Sequence, residues 1–146
     1  MKVLLLDLSA KNTHKTLAPW CIKSYCDKYA PSNEILVQEH TINDMLTQII
    51  DSIYLQNPEV LGLSCYIWNI ELVHKISRLI KEILPNCIIV LGGPEISFEE
   101  DFSQCSFVDY IIRGAGEIAF ASLINEIKKT GMIEKKIISM KPKQNY

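Results

Sequence analysis

Five short apolar runs, each set off by turn residues and interleaved with stretches of helical spacing, constrain this chain more than any other feature. The runs are "KVLLLDL" (2–8), "EILVQEH" (34–40), "EVLGLSC" (59–65), "NCIIVLGG" (86–93) and "VDYIIRG" (108–114). The first, third and fourth are apolar at successive positions, so both faces of each would be covered, as in the interior of a parallel sheet. The second carries Gln38 and His40 and suits an edge.

Between the runs, apolar residues recur every three or four positions. Leu17, Cys21, Ile22, Tyr25, Cys26 and Tyr29 predict a helix over 17–30, with Pro19 in its first turn. Leu46, Ile49, Ile50 and Ile53 predict one over 42–56, capped by Thr41 or Asn43. Val73, Ile76, Leu79, Ile80 and Ile83 predict one over 69–84, with Asn69 as cap and Pro85 as stop. Ile118, Phe120, Leu123, Ile124 and Ile127 predict one over 116–130, with Lys128 and Lys129 in the last turn and Gly131 ending it. The segment 94–107 has a weaker pattern, with room for a short helix around Ile96–Phe102.

Strands alternating with helices give an α/β fold with helices on both faces of a parallel sheet. The expectation is a doubly wound, five-stranded, Rossmann-like or flavodoxin-like three-layer sandwich of order 2-1-3-4-5. A chain of 146 residues is one ordinary domain. We place its boundary at 131, with 132–146 as a tail or the start of a linker, in which Ile137, Ile138 and Met140 suit a short sixth strand.

Composition excludes several functions. No apolar run approaches the roughly 18 residues of a membrane span, and "MKVLLLD" lacks the apolar length and cleavage site of a signal peptide. The net charge is −2, and the lysines of "EKKIISMKPK" suit a solvated tail better than a nucleic-acid face. The five cysteines are odd in number and dispersed, with no CxxC. Reduced thiols in a cytoplasm are therefore expected, with Cys21, Cys26 and Cys87 in the core and Cys65 an inert buried thiol, and no zinc or iron–sulfur site.

In an open parallel sheet, ligands bind beyond the carboxyl ends of the strands, where the strand order reverses. Those ends here carry "DLSAKNTHKT", "SCYIWN", "GGPEIS" and "RGAGEI". Gly92–Gly93 and Gly114–Ala115–Gly116 would form a neighbouring wall free of side chains. Glu117 would sit in the first turn of the following helix, facing the same crevice. The first loop has no glycine, which disfavours a dinucleotide. Ser64 and Arg113 stand where a phospho-acceptor receiver would have aspartate and lysine. The hydroxyls of "SAKNTHKT" leave a flavodoxin-like FMN or nucleotide binder open, as is a ligand-free interaction domain. His14, His40 and His74 are scattered and make no catalytic constellation; His74 suits a helix surface, and Asp7 a partner for loop N–H groups.

Residues 59–97, "EVLGLSCYIWNIELVHKISRLIKEILPNCIIVLGGPEIS", followed by "VDYIIRGAGEIAF", resemble the cobalamin-binding domain found ahead of radical S-adenosylmethionine enzymes. The resemblance runs from residue 1 to about 130 and rests on GLS (62–64), GGPE (92–95) and GxGE (114–117) together. It implies a cobalamin (vitamin B12) held at the carboxyl edge, its nucleotide tail in a slot along strands one, three, four and five. Ser64 would meet the dimethylbenzimidazole, Gly92 and Gly93 would flank the tail, and Gly114, Gly116 and Glu117 would border the ribose and phosphate. Tyr66 would lie nearer the corrin. Pro94 and Glu95, with Ser9 and Asn12 at the first strand's tip, complete the implied set.

Cobalamin domains with a DxHxxG loop ligate cobalt through its histidine. Asp7 holds the aspartate position here, but Ser9 replaces the histidine and Asn12 the glycine, so no histidine ligand is expected there. The CxxxCxxC loop of the radical enzymes is also missing, so S-adenosylmethionine and the [4Fe-4S] cluster would belong to a separate C-terminal domain. The chain is thus expected to be a cofactor-binding module and not catalytic alone, serving methyl-transfer or oxidative cyclase-type chemistry.

Overall fold

The computed structural model describes residues 1–11, 18–93, 107–114, 116–131 and the backbone of 137–140. In chain order its elements are β1 (Lys2–Ser9), α1 (Ala18–Tyr29), β2 (Glu34–Thr41), α2 (Leu46–Gln56), β3 (Val60–Ser64), α3 (Ile70–Ile83), β4 (Ile88–Gly92), β5 (Tyr110–Gly114), α4 (Gly116–Thr130) and β6 (Ile137–Met140). All pair in parallel in one sheet of order β2-β1-β3-β4-β5-β6. The expected order 2-1-3-4-5 is therefore observed, and β6 extends the sheet beyond β5, within the segment assigned to the tail. The short helix expected around 96–102 lies outside the described residues.

Side chains alternate across the strands and divide the core in two. Leu4, Leu6, Leu8, Leu61, Leu63, Ile89 and Leu91 pack against Ile49 and Ile53 of α2 and Val73, Ile76 and Ile80 of α3. Val3, Leu5, Val60, Val90, Tyr110 and Ile112 face the other way, toward Cys26 of α1 and Phe120, Leu123, Ile124 and Ile127 of α4.

Two local expectations change. Neither Thr41 nor Asn43 caps α2: Met45 occupies that position without a side-chain cap. Thr41 instead closes the preceding turn, its main-chain N–H and hydroxyl donating to the Asp44 carboxylate at 3.1 and 3.0 Å. Cys21 was expected in the core and is exposed. Pro19, Ile22 and Cys26 define the inward line of α1 at helical spacing, and Cys21 falls beside it.

A cleft at the carboxyl edge

The cleft lies between the sheet, α1 and α4, with a volume of about 480 Å³. That is within the roughly 300–1,000 Å³ of small-ligand sites. Its lining includes Ser64, Tyr66, Gly92, Gly93, Gly114, Gly116 and Glu117 from the strand tips and the start of α4. Asn12, Pro94 and Glu95 lie outside the described residues. Ser9 does not line the cleft; it is buried at the end of β1, its hydroxyl donating to the Asp7 carboxylate at 2.9 Å.

Residue size along the strands makes the opening. On β3, Leu61 and Leu63 point toward α2 and α3, so Gly62 and Ser64 point into the cleft. Register then places Leu5, Gly62 and Val90 in one row, with Ser64 and Gly92 in the next row toward the rim. The cleft deepens where side chains are smallest. Gly62, the glycine of the GLS motif, keeps the cleft's floor low by letting the side chains of Leu5 and Phe120 close over β3. A Cβ there would stand 2.8 Å from Leu5 Cδ2 and 3.3 Å from Phe120 Cε2. A glycine inside an otherwise apolar strand was the signal that marks it.

The paired glycines divide their labour. Gly93 has φ +98°, and a Cβ on it would lie 2.6 Å from the Cys65 carbonyl oxygen, so the backbone demands glycine there. That approach accompanies a hydrogen bond from Cys65 N–H to Gly92 O at 2.7 Å. Gly92 has room: its nearest neighbour would be Ile112 O at 3.8 Å. Gly92 therefore contributes space, and Gly93 the turn that ends the wall.

Asn69 occupies the N-cap of α3, its carbonyl accepting from Val73 N–H at 2.9 Å, but its side chain makes no capping bond and acts as a positioning group instead. Its side-chain amide donates to the carbonyls of Leu8 and Ser64, each at 3.1 Å, and its Oδ1 accepts from Tyr66 N–H at 2.8 Å. Only 1% exposed, it ties the tips of β1 and β3 to the loop between β3 and α3. That loop presents Tyr66 and Trp68 as a stacked pair, centroids 4.4 Å apart and planes 3° from parallel. Trp68 Nε1 also donates to Leu8 O at 3.2 Å.

Four exposed apolar side chains lie toward the carboxyl edge, outside the cleft lining, and escape notice in the sequence. Trp20 in the first turn of α1, Ile67 and Trp68 after β3, and Ile118 in the first turn of α4 are all exposed, Ile67 by 79%. Each looked like a single residue in its own segment; only the parallel topology brings them to one edge. Glu117 adds a carboxylate beside the amino end of α4, where the helix dipole favours negative charge.

The described histidines and thiols stand apart from this site. His40 bonds toward α2 through Ser52, and His74, on α3, meets Phe107 edge-on at 6.0 Å; it is half-buried, not a surface residue. Cys65 is buried, as are Cys26 and Cys87, whose thiols burial pushes up to about 11, so both stay protonated. His14 and Cys105 are outside the described residues. Among the described residues no three His, Cys, Asp or Glu side chains gather to hold a metal ion. No described helix is long and apolar enough to cross a membrane.

A family model described as the B12 binding domain matches residues 3–124. The chain is 41% identical over 69 residues to the cobalamin-dependent radical SAM methyltransferase TokK of Streptomyces tokunonensis, a match covering 46% of this chain and 10% of that protein. It is 39% identical over 74 residues to a 2-(S-pantetheinyl)-carbapenam-3-carboxylate methyltransferase of Streptantibioticus cattleyicolor, covering 49% and 11%. These matches thus span about a tenth of the relatives' own length. Among solved structures, the cobalamin-dependent S-adenosylmethionine radical enzyme OxsB, with aqua-cobalamin and S-adenosylmethionine bound, superimposes with a TM-score of 0.77 at 20% identity. That match covers 97% of this chain and 22% of OxsB. A cobalamin-binding protein from Desulfitobacterium hafniense superimposes with a TM-score of 0.59 at 18% identity, covering 86% and 57%. At these identities the superpositions speak for the fold.

Proposed function

Because the chain belongs to the B12-binding domain family, we propose that it is the cobalamin-holding module of a radical S-adenosylmethionine enzyme and that its cleft receives the cofactor's nucleotide tail. The observation that carries this reading is the open space at Gly92, in line with Ser64 on the next strand, at the mouth of a cleft with an apolar interior. Ser64 offers the tail a hydroxyl, Gly92 and Gly93 a flat wall, and Gly114, Gly116 and Glu117 border its sugar and phosphate. Asn12, Pro94 and Glu95 complete the proposed set. Tyr66, stacked on Trp68, would face the corrin.

Cobalamin, when bound, supplies a cobalt centre that carries a methyl group or passes electrons; the protein's part is to hold and orient it. Ser9 stands where an imidazole ligand would be and gives its hydroxyl to Asp7, so this chain supplies no histidine to cobalt from that position. The exposed Trp20, Ile67, Trp68 and Ile118 would be covered by the corrin and by a C-terminal radical S-adenosylmethionine domain, which would also hold the S-adenosylmethionine and the [4Fe-4S] cluster. The segment after β6 would lead to that domain. The reaction served is methyl transfer or an oxidative cyclisation, and the compartment a reducing cytoplasm.

The test is incubation of the purified chain with hydroxocobalamin or with FMN, followed by gel filtration and an absorption spectrum of the protein peak. Co-elution of the corrin spectrum is expected. Retention of FMN instead, or of neither compound, would count against the reading.

A further inference from the structure

Resting on that reading, we propose that the cleft selects among corrinoids by the chemistry of their lower base, favouring a benzimidazole with apolar edges over a purine. The selectivity follows from a change of polarity with depth. Near the rim the lining offers the Ser64 hydroxyl, the Glu117 carboxylate and the first turn of α4. One row deeper, the floor is Leu5, Gly62 and Val90, with Phe120 beside it. None of these side chains can donate or accept a hydrogen bond. The main chain cannot substitute, because β3 pairs on both sides, with β1 and with β4, and its amide and carbonyl groups are committed to those ladders.

A base that reaches this floor loses water at its leading edge. Dimethylbenzimidazole presents methyl groups there, and burying them is favourable. Adenine presents an exocyclic amine and ring nitrogens, which would be buried without partners. Gly62 sets how far the base enters by letting Leu5 and Phe120 lie against the main chain of β3. A methyl group here would stand 2.8 Å from Leu5 Cδ2 and 3.3 Å from Phe120 Cε2 and push those side chains up into the cleft. Gly62 is therefore a specificity-determining residue through the low floor that Leu5 and Phe120 form over it.

The experiment compares equilibrium binding of three compounds with the same corrin ring to the whole chain: cobalamin, its adenine-based counterpart and cobinamide, which has no base. Cobalamin should bind roughly ten- to a hundredfold more tightly than the adenine compound. Gly62→Ala should bring cobalamin's affinity toward that of cobinamide while cobinamide binding stays as it was. Equal affinities for the two base-bearing compounds, or undiminished cobalamin binding by Gly62→Ala, would overturn the selectivity and leave the cobalamin reading standing. Failure to bind any of the three would overturn both. If Gly62→Ala does not fold, Val90→Thr places a hydroxyl in the floor. It should narrow the preference for cobalamin several-fold, and an unchanged ratio would refute the proposal.

Discussion

The two faces of the sheet are built from the same strands and do opposite things. Toward α2 and α3, Leu4, Leu6, Leu8, Leu61, Leu63, Ile89 and Leu91 form a filled core. Toward α1 and α4, the same strands carry large residues at their amino ends and Gly62, Ser64 and Gly92 toward their carboxyl ends, leaving the cleft. Because successive residues point to opposite faces, "LGLS" on β3 and "LG" on β4 place bulk on one side and space on the other. One face supplies stability, which frees the other to leave a gap.

The largest effect is expected on the filled face. Leu61→Ala removes a fully buried side chain next to Gly62 and should cost about 2–5 kcal/mol in urea unfolding. Corrinoid binding under folding conditions should be retained, because Leu61 does not line the cleft. Gly93→Ala comes next. It forces φ +98° on a side chain, at about 1–3 kcal/mol, and drives its Cβ into the Cys65 main chain. It should lower both stability and binding, since β3 and β4 must part at the rim. Asn69→Ala leaves the Ser64 carbonyl and the Tyr66 N–H without its side chain, and should cost about 1–3 kcal/mol. Asn69→Asp keeps the acceptor for Tyr66 and loses both donors, so its binding defect should report on how firmly the two strand tips are tied.

The smallest effect concerns pH. The Asp44 carboxyl is held below its ordinary value of 3.8, first by the Thr41 N–H, then by the Thr41 hydroxyl, and also by His40. A depressed carboxylate stabilises the fold above its unfolded pKa, and that contribution disappears as pH falls through the folded value. Because Asp44 is largely solvated, the loss should be slight and confined to strongly acidic pH. Asp44→Asn should therefore cost a slight amount of stability at neutral pH and none at strongly acidic pH, flattening that part of a stability-against-pH profile; a loss of the same size at both pH values would mean the carboxylate's charge is not what stabilises the turn.

The strand order and the inward stripes were legible in the sequence because they rest on periodicity, which the chain displays directly. The glycines at the tips of β4 and β5 were visible for the same reason: glycines in succession beyond an apolar run stand out. What periodicity does not show is which glycine serves the backbone and which serves space. Gly92 and Gly93 look alike as letters and are separated only by φ and by the nearness of Cys65. Asn69 was read as a local cap because its neighbours in sequence are helical; its partners Leu8 and Ser64 come from strand tips that only the fold brings close. The shared exposure of Trp20, Ile67, Trp68 and Ile118 toward the carboxyl edge escaped for that reason as well. Cys21 misled because one extra apolar residue beside a helical stripe widens the stripe without turning inward.

The most direct measurement is a cobalamin titration of Gly92→Val alongside Leu61→Ala, with the urea midpoint of each recorded on the same preparations. Gly92 has free space and a main chain that any residue adopts, so valine should fill the cleft and abolish cobalamin retention while the midpoint stays close to the parent's. Leu61→Ala should show the reverse, a lowered midpoint with binding retained. Undiminished binding by a stably folded Gly92→Val would contradict the claim that this gap on one face of the sheet is where the cofactor's tail resides.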